Sequence, residues 1–351
     1  MKNITLAFRT SLIITAVFWL WLTSFNDVMA ITNGYYPRNP CYMKQHIYVG
    51  EAGLKKFNLT PQTKIWSVLQ NHTTFEPVCV DQYILIGSHD GLYAINSSTG
   101  IVHWSVGKGA VLYSPVVING FVYVSSQDGK IQKLQLDSGK LVWEKQLNNW
   151  LYPPVVTGNR IIVGGGNSKL YAFDTKTGKL LWLRHIGQEL VYRPIEAKTN
   201  IVIITTYGSE VIALNVKTNR IIWSIKNTSA AYTPVVNNEQ LFYGDQNGII
   251  RAVNLETGNE NWHTQLNGVI RSIPAIDFTH SNTVWIGTER GQLTALNKTN
   301  GSIQWQKQLT ESIVHSPLPI KNRVYLKIES KDLMFESFLI PKTLQKNTIN
   351  K

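Results

Sequence analysis

Ala172-Phe173-Asp174-Thr175-Lys176-Thr177-Gly178-Lys179-Leu180-Leu181-Trp182 decides the fold, because versions of this stretch recur along most of the chain. Counting back from the tryptophan, a small residue stands ten places before, an apolar residue nine before and Asp or Asn eight before. A Thr-Gly turn then leads into a short apolar strand. This is a β-hairpin: the Asx side chain bonds backbone two residues on, and Gly or Asn at the turn accepts a positive φ without a Cβ clash.

The pattern ends at Trp66, Trp104, Trp143, Trp182, Trp223, Trp262 and Trp305, spaced by 38 to 43 residues. Seven of the eleven tryptophans therefore occupy one repeating position. The small residue is Ala94, Ala172, Ala213, Ala252 and Ala295, with Lys56 and Lys133 as exceptions, and the first copy has Pro61-Gln62 at its turn. A proline, among them Pro77, Pro115, Pro154 and Pro317, follows each tryptophan by eleven or twelve residues and marks a strand start, where it costs no ladder bond. Next come nearly continuous apolar runs such as Tyr83-Ile84-Leu85-Ile86 and Phe121-Val122-Tyr123-Val124, which require cover on both sheet faces.

Four short strands per period of about forty residues predict an all-β propeller of stacked four-stranded blades. The tryptophans are read as packing between blades, each removing roughly 150–250 Å² from water. Eight blades result if residues 31–36 complete the last sheet, and seven if the Trp66 strand closes the ring. Eight is the preferred count.

The chain of 351 residues is thus read as one propeller domain over 31–340, with a frayed polar tail over 341–351. Residues 1–30 differ in kind. Lys2 and Arg9 precede the apolar run from Thr10 to Phe25, and Val28-Met29-Ala30 puts small residues where a signal peptidase reads, so a secretory signal cut after Ala30 is expected. The alternative is an uncleaved inner-membrane anchor with the propeller facing the periplasm.

Net charge is +12; removing Lys2, Arg9 and Asp27 with the signal lowers it by one, to +11. Export argues against nucleic acid as the partner. The charge is spread through turns such as Lys176, Lys179, Lys217 and Arg220 and reads first as a solvated surface, with peripheral membrane association through anionic lipid, lipopolysaccharide, peptidoglycan or an acidic protein face as the alternatives. Cys41 and Cys79 are the only cysteines, and an oxidising compartment would allow them to pair, although spacing cannot show proximity.

The eight histidines are scattered without metal-ligand spacing, and Gly164-Gly165-Gly166 lies between two strands, where it reads as a tight turn. No cofactor is expected. The segments between each tryptophan and the next proline are the most irregular, and loops of this kind carry recognition. Phe75, Tyr113, Tyr152, Tyr192, Tyr232 and His315 repeat two places before the proline, read first as packing and second as a ligand platform. The non-repeating residues Trp150, Leu151, Gln188, Glu189, Leu190 and Arg193 combine apolar and charged groups as protein hot spots do, and are the candidate partner-binding set.

The hairpin at 172–182 resembles the tryptophan-docking repeat of pyrroloquinoline quinone propellers. Length, one-domain build and export look most like the outer-membrane β-barrel assembly factor family BamB, with the likeness covering about residues 46–328. That resemblance implies a monomeric, non-catalytic periplasmic scaffold whose rim loops dock a β-barrel assembly protein. The family's lipoproteins carry Cys directly after the signal, where this chain has Ile31. The quinone dehydrogenases that share the repeat use a vicinal disulfide clamp, which Cys41 and Cys79 are too far apart in sequence to form. The alternative function is a binder of a small ligand, quinone or glycan, in the channel, accessory to a redox system.

Overall fold

The structure is a computed structural model and describes residues 39–187, 193–237, 239–276, 282–327, 335–341 and Leu344. The described residues belong to one compact unit that starts at Pro37. The signal segment 1–30, the blade-completing segment 31–36 and most of the 341–351 tail lie outside them.

Eight antiparallel sheets follow one another along the chain and form the eight blades of a propeller. The second blade shows the pattern, with strands Val78–Val80, Tyr83–Ser88, Gly91–Asn96 and Val102–Val106 hydrogen-bonded in sequence order. Six blades have four strands among the described residues, and the first and last have three. The prolines stand directly before the first strands, as Pro77 does before Val78–Val80 and Pro317 before Leu318–Ile320. In the first blade, the second and third strands run together as one continuous element, His46–Asn58. Gly53 sits within it at φ 85°, where the register to the next strand shifts.

The apolar runs are covered on both faces. Leu85 packs with Val122 and Val124 of the third blade, while its neighbours Ile84 and Ile86 pack with Tyr48 and Leu54 of the first. Each neighbouring pair of blades encloses its own cluster of buried side chains. The cluster of Ile47, Val49 and Phe57 with Ile320 and Tyr325 joins the first blade to the last and closes the ring at eight. First strands of neighbouring blades touch one another, so they line the axis, and the tryptophan strands lie outermost.

The repeated hairpin explains how blades lock. Asp174 Oδ1 accepts the Thr177 hydroxyl at 2.7 Å and the Lys176 and Thr177 N–H groups at 3.1 and 2.8 Å, and these bonds, the Thr177 hydroxyl first, hold its carboxyl below the ordinary value. Asn96, Asn215, Asn254 and Asn297 bond their turns in the same way. Each formed turn rests on the preceding blade's tryptophan: Trp143 Nε1 donates to Thr175 O at 3.2 Å, and a Cβ on Gly178 would lie 2.8 Å from the Trp143 ring. Trp104, Trp182, Trp223 and Trp262 donate to the turn carbonyls of Leu136, Val216, Leu255 and Lys298.

The two exceptions at the alanine position reinforce this lock. Lys133 is buried and donates to the same Thr175 O at 3.1 Å, with its ammonium 3.8 Å from the Phe121 ring centroid. Lys56 donates to Ser97 O at 2.8 Å, the turn carbonyl of the second blade. Burial pulls both ammonium groups below their ordinary pKa.

Candidate functional site

Every first strand is entered through a residue followed by proline, and a residue in that position is confined to extended backbone. The eight residues are Asn39, Glu76, Ser114, Pro153, Arg193, Thr233, Ile273 and Ser316, one per blade. Because the first strands line the axis, these residues gather at one mouth of the channel. Only Glu76 and Arg193 among them are charged, and they meet: Arg193 Nη2 lies 3.5 Å from Glu76 Oε2, joining the entrances of the second and fifth blades.

A polar network spreads from this pair. The Asn39 side chain bonds Glu76 and accepts the Ser316 N–H at 2.9 Å through Oδ1. Ser114 Oγ donates to Glu76 O and Ser316 Oγ to Ile273 O, both at 2.9 Å. Burial pushes the Glu76 carboxyl above its ordinary pKa, against the opposing pull of Arg193 and then of Asn39. The mouth is thus braced by bonds among the entrances of six blades and holds one half-buried carboxylate against one guanidinium.

The repeating aromatics stand one residue further out. Phe75, Tyr113, Tyr152 and Tyr232 each donate their backbone N–H to the second strand of their blade, to Gly87, Ser125, Gly164 and Gly244. Phe75, Tyr113, Tyr232 and His315 are buried, and the Phe75 and Tyr113 rings pack at 5.2 Å between centroids. Packing is therefore their role in the fold; Tyr192 lies outside the described residues.

Of the candidate partner residues, Trp150 is half-buried, and its indole lies over Gly166, where a Cβ would fall 1.2 Å from Nε1. Gly165 has no room for a Cβ beside Asn149 Nδ2, at 2.6 Å. The triple glycine therefore ends a strand, Arg160–Gly165, and admits the 149–151 loop against it. Leu151 is only 1% exposed and sits in the cluster between the third and fourth blades, so it anchors the loop from beneath instead of offering a free side chain. Arg193 is on the mouth as described. Gln188, Glu189 and Leu190 lie outside the described residues.

Asn39, Ser114 and Ser316 carry no hot-spot chemistry that the sequence alone marks. Their signal was the place directly before each proline, one residue on from the aromatic position. Cys41 and Cys79 are joined as a disulfide, with Cα atoms 5.9 Å apart, linking the first strands of the first and second blades. No vicinal disulfide exists in a chain with these two cysteines.

Three comparisons bear on the site. A sequence model of the family described as outer membrane protein assembly factor BamB matches residues 51–264 and 246–334. Uncharacterised proteins of Rickettsia conorii and Rickettsia prowazekii are 31% and 27% identical over 131 residues, about 32% of this chain, and the match spans about 31% of the length of each. Among solved structures, BamB from Moraxella catarrhalis superposes with a TM-score of 0.65 at 18% identity, covering 82% of this chain and 92% of that one. A computationally designed protein, Ika8, gives 0.73 at 15% identity, covering 88% and 98%. At these identities the superpositions show the fold.

Proposed function

The chain belongs to the family described as outer membrane protein assembly factor BamB, and from that premise we propose that it is a non-catalytic periplasmic scaffold. Residues 1–30 export it, and the loops at the braced channel mouth dock a protein of the cell envelope. The partner proposed is a β-barrel assembly protein, as the family description suggests.

The observation that carries this reading is the mouth itself. Six blade entrances are fixed to one another there, and the irregular loop that carries Trp150 rises from the same side. A rigid frame under variable loops suits recognition, since little conformational entropy is lost when a partner binds. Arg193 supplies a guanidinium already held by Glu76, and Trp150 an aromatic surface, the residue types that dominate protein hot spots.

The test is capture from solubilised envelope with the tagged chain and its Leu190→Ala/Arg193→Ala variant, with absorbance spectra of both eluates. Co-purification of a β-barrel assembly protein by the parent and not by the folded variant supports the proposal. Undiminished capture by the variant removes the site assignment. A chain that elutes alone with a quinone chromophore replaces the scaffold with a ligand-binding role in the channel.

A further inference from the structure

The face opposite the mouth carries the tight turns between first and second strands. At seven of the eight blade interfaces the chain itself crosses from one blade to the next; between the eighth and the first no described segment does. Closure there involves the cluster of Ile47, Val49, Phe57, Ile320 and Tyr325, the Asn39 to Ser316 bond and the ion pair of Lys327 with Glu51 at 3.8 Å. At this seam, on the turn face, lies a cleft of about 340 Å³. Its basic lining residues are Lys44 and His46 from the first blade and Lys321 and Arg323 from the last, and no carboxylate lines it.

We propose that this cleft is a binding site for a phosphate group. Three obligate cations and an imidazole around one space call for a multiply charged anion, and a guanidinium with two ammonium groups matches the oxygens of a phosphate. Among the described residues none of the four makes an ion pair. Arg323 is oriented beforehand: its Nε and Nη2 donate to Ser337 Oγ and O, both at 3.1 Å, which uses two of five donors. Leu59, Ile320 and Tyr325 supply an apolar wall.

A second observation comes from the backbone. Lys44 and Lys321 occupy the first central position of their two-residue turns, at φ 49° and 55°. The same position in the second, third and fourth blades holds Asp81, Asn119 and Gly158. Asp, Asn and Gly tolerate the left-handed region, whereas a lysine gains nothing local from it. On both sides of the seam the residue that suits the turn is replaced by a cation that suits the cleft.

The placement gives the ligand a consequence for the fold. Cations lining the two sides of one seam repel, and a phosphate between Lys44 and the Lys321–Arg323 pair turns that repulsion into attraction. Binding and ring closure are therefore linked, and the bound ligand stabilises the closed propeller. The phosphate comes either from a soluble compound or from an anionic lipid headgroup.

The experiment compares the parent chain with Lys44→Asn/Lys321→Asn, which restores turn residues the backbone prefers and so keeps the fold. Thermal unfolding is read in inorganic phosphate and in chloride at matched ionic strength, and flotation is read with phosphatidylglycerol and phosphatidylcholine vesicles. The parent is expected to gain Tm in phosphate beyond any gain of the variant, whose response reports only general exclusion of phosphate from protein surface. The variant's Tm in chloride is expected to be no lower than the parent's. Flotation with phosphatidylglycerol alone, lost in the variant, assigns the phosphate to lipid; a phosphate-dependent Tm gain without flotation assigns it to a soluble compound. Neither response in the parent, or equal responses in the variant, overturns the proposal.

Discussion

Glu76 and Arg193 meet at 3.5 Å across the channel mouth, from the entrances of the second and fifth blades. They are neighbours only because the ring closes, and they are the two charges among eight residues in equivalent positions. The Glu76 side chain retains 19% of its exposure and that of Arg193 32%, so the pair is neither fully solvated nor sealed. Such a pair contributes more to orienting the arginine than to stability.

Glu76 gives the first prediction its sign. Its carboxyl pKa is raised, chiefly by burial, so the folded chain holds that proton more tightly than the unfolded chain. This group therefore adds stability as pH falls through its folded pKa, and its ionised form costs stability at neutral pH. Glu76→Gln is expected to have a Tm at pH 7 equal to or above the parent's, with the difference shrinking on acidification. Unfolding curves across pH for both proteins check it.

The turn and the tryptophan beneath it should fail together. Trp223 is 9% exposed, donates to Leu255 O at 2.9 Å, and lies where a Cβ on Gly258 would come within 2.9 Å of its ring. Trp223→Ala is expected to cost about 3–5 kcal/mol. Gly258→Ala, at φ 75°, should also destabilise, and the double variant should lose less than the sum because both changes disrupt one contact. Denaturant titration of the three variants measures the coupling.

The bridge between Cys41 and Cys79 ties the first blade covalently to the second, while the seam on its other side is held by packing, a hydrogen bond and an ion pair. Replacing both cysteines by serine is expected to cost about 2–4 kcal/mol. Because the bridge lies outside the proposed docking loops, partner capture should survive at temperatures where the variant stays folded. Calorimetry and capture assays on the same preparation separate the two effects.

Gly166 is predicted to control the placement of Trp150. Gly166→Val has no room beneath the indole, so Trp150 should be driven outward, with a red-shifted and more quenchable fluorescence component. Tm should fall modestly, since Leu151 still anchors the loop in the core. An emission spectrum identical to the parent's would mean that the ring does not rest on Gly166.

The repeat was legible because its chemistry is local. Asx at one end of the turn, glycine at the other and tryptophan at a fixed distance lie within eleven residues, and proline marks each strand start a fixed distance on. The mouth was less legible because it depends on ring closure: nothing near Glu76 in sequence points to Arg193 or Asn39. Leu151 illustrates the same limit, since an apolar residue beside Trp150 in an irregular loop reads as a contact residue until the fold buries it. Lys56 and Lys133 read as lapses in the repeat, whereas each reaches a carbonyl of the next blade that no local pattern identifies.

The central claim, that the mouth loops dock a β-barrel assembly protein, is tested most directly by site-specific photo-crosslinking in the native envelope. The reactive group is placed at Trp150 on the mouth and at Leu190 of the proposed docking stretch, and at Arg220 on the turn face as the comparison. Adducts with a β-barrel assembly protein from positions 150 and 190, and none from 220, are the predicted result. An adduct with that protein from 220 and none from the mouth would contradict the account.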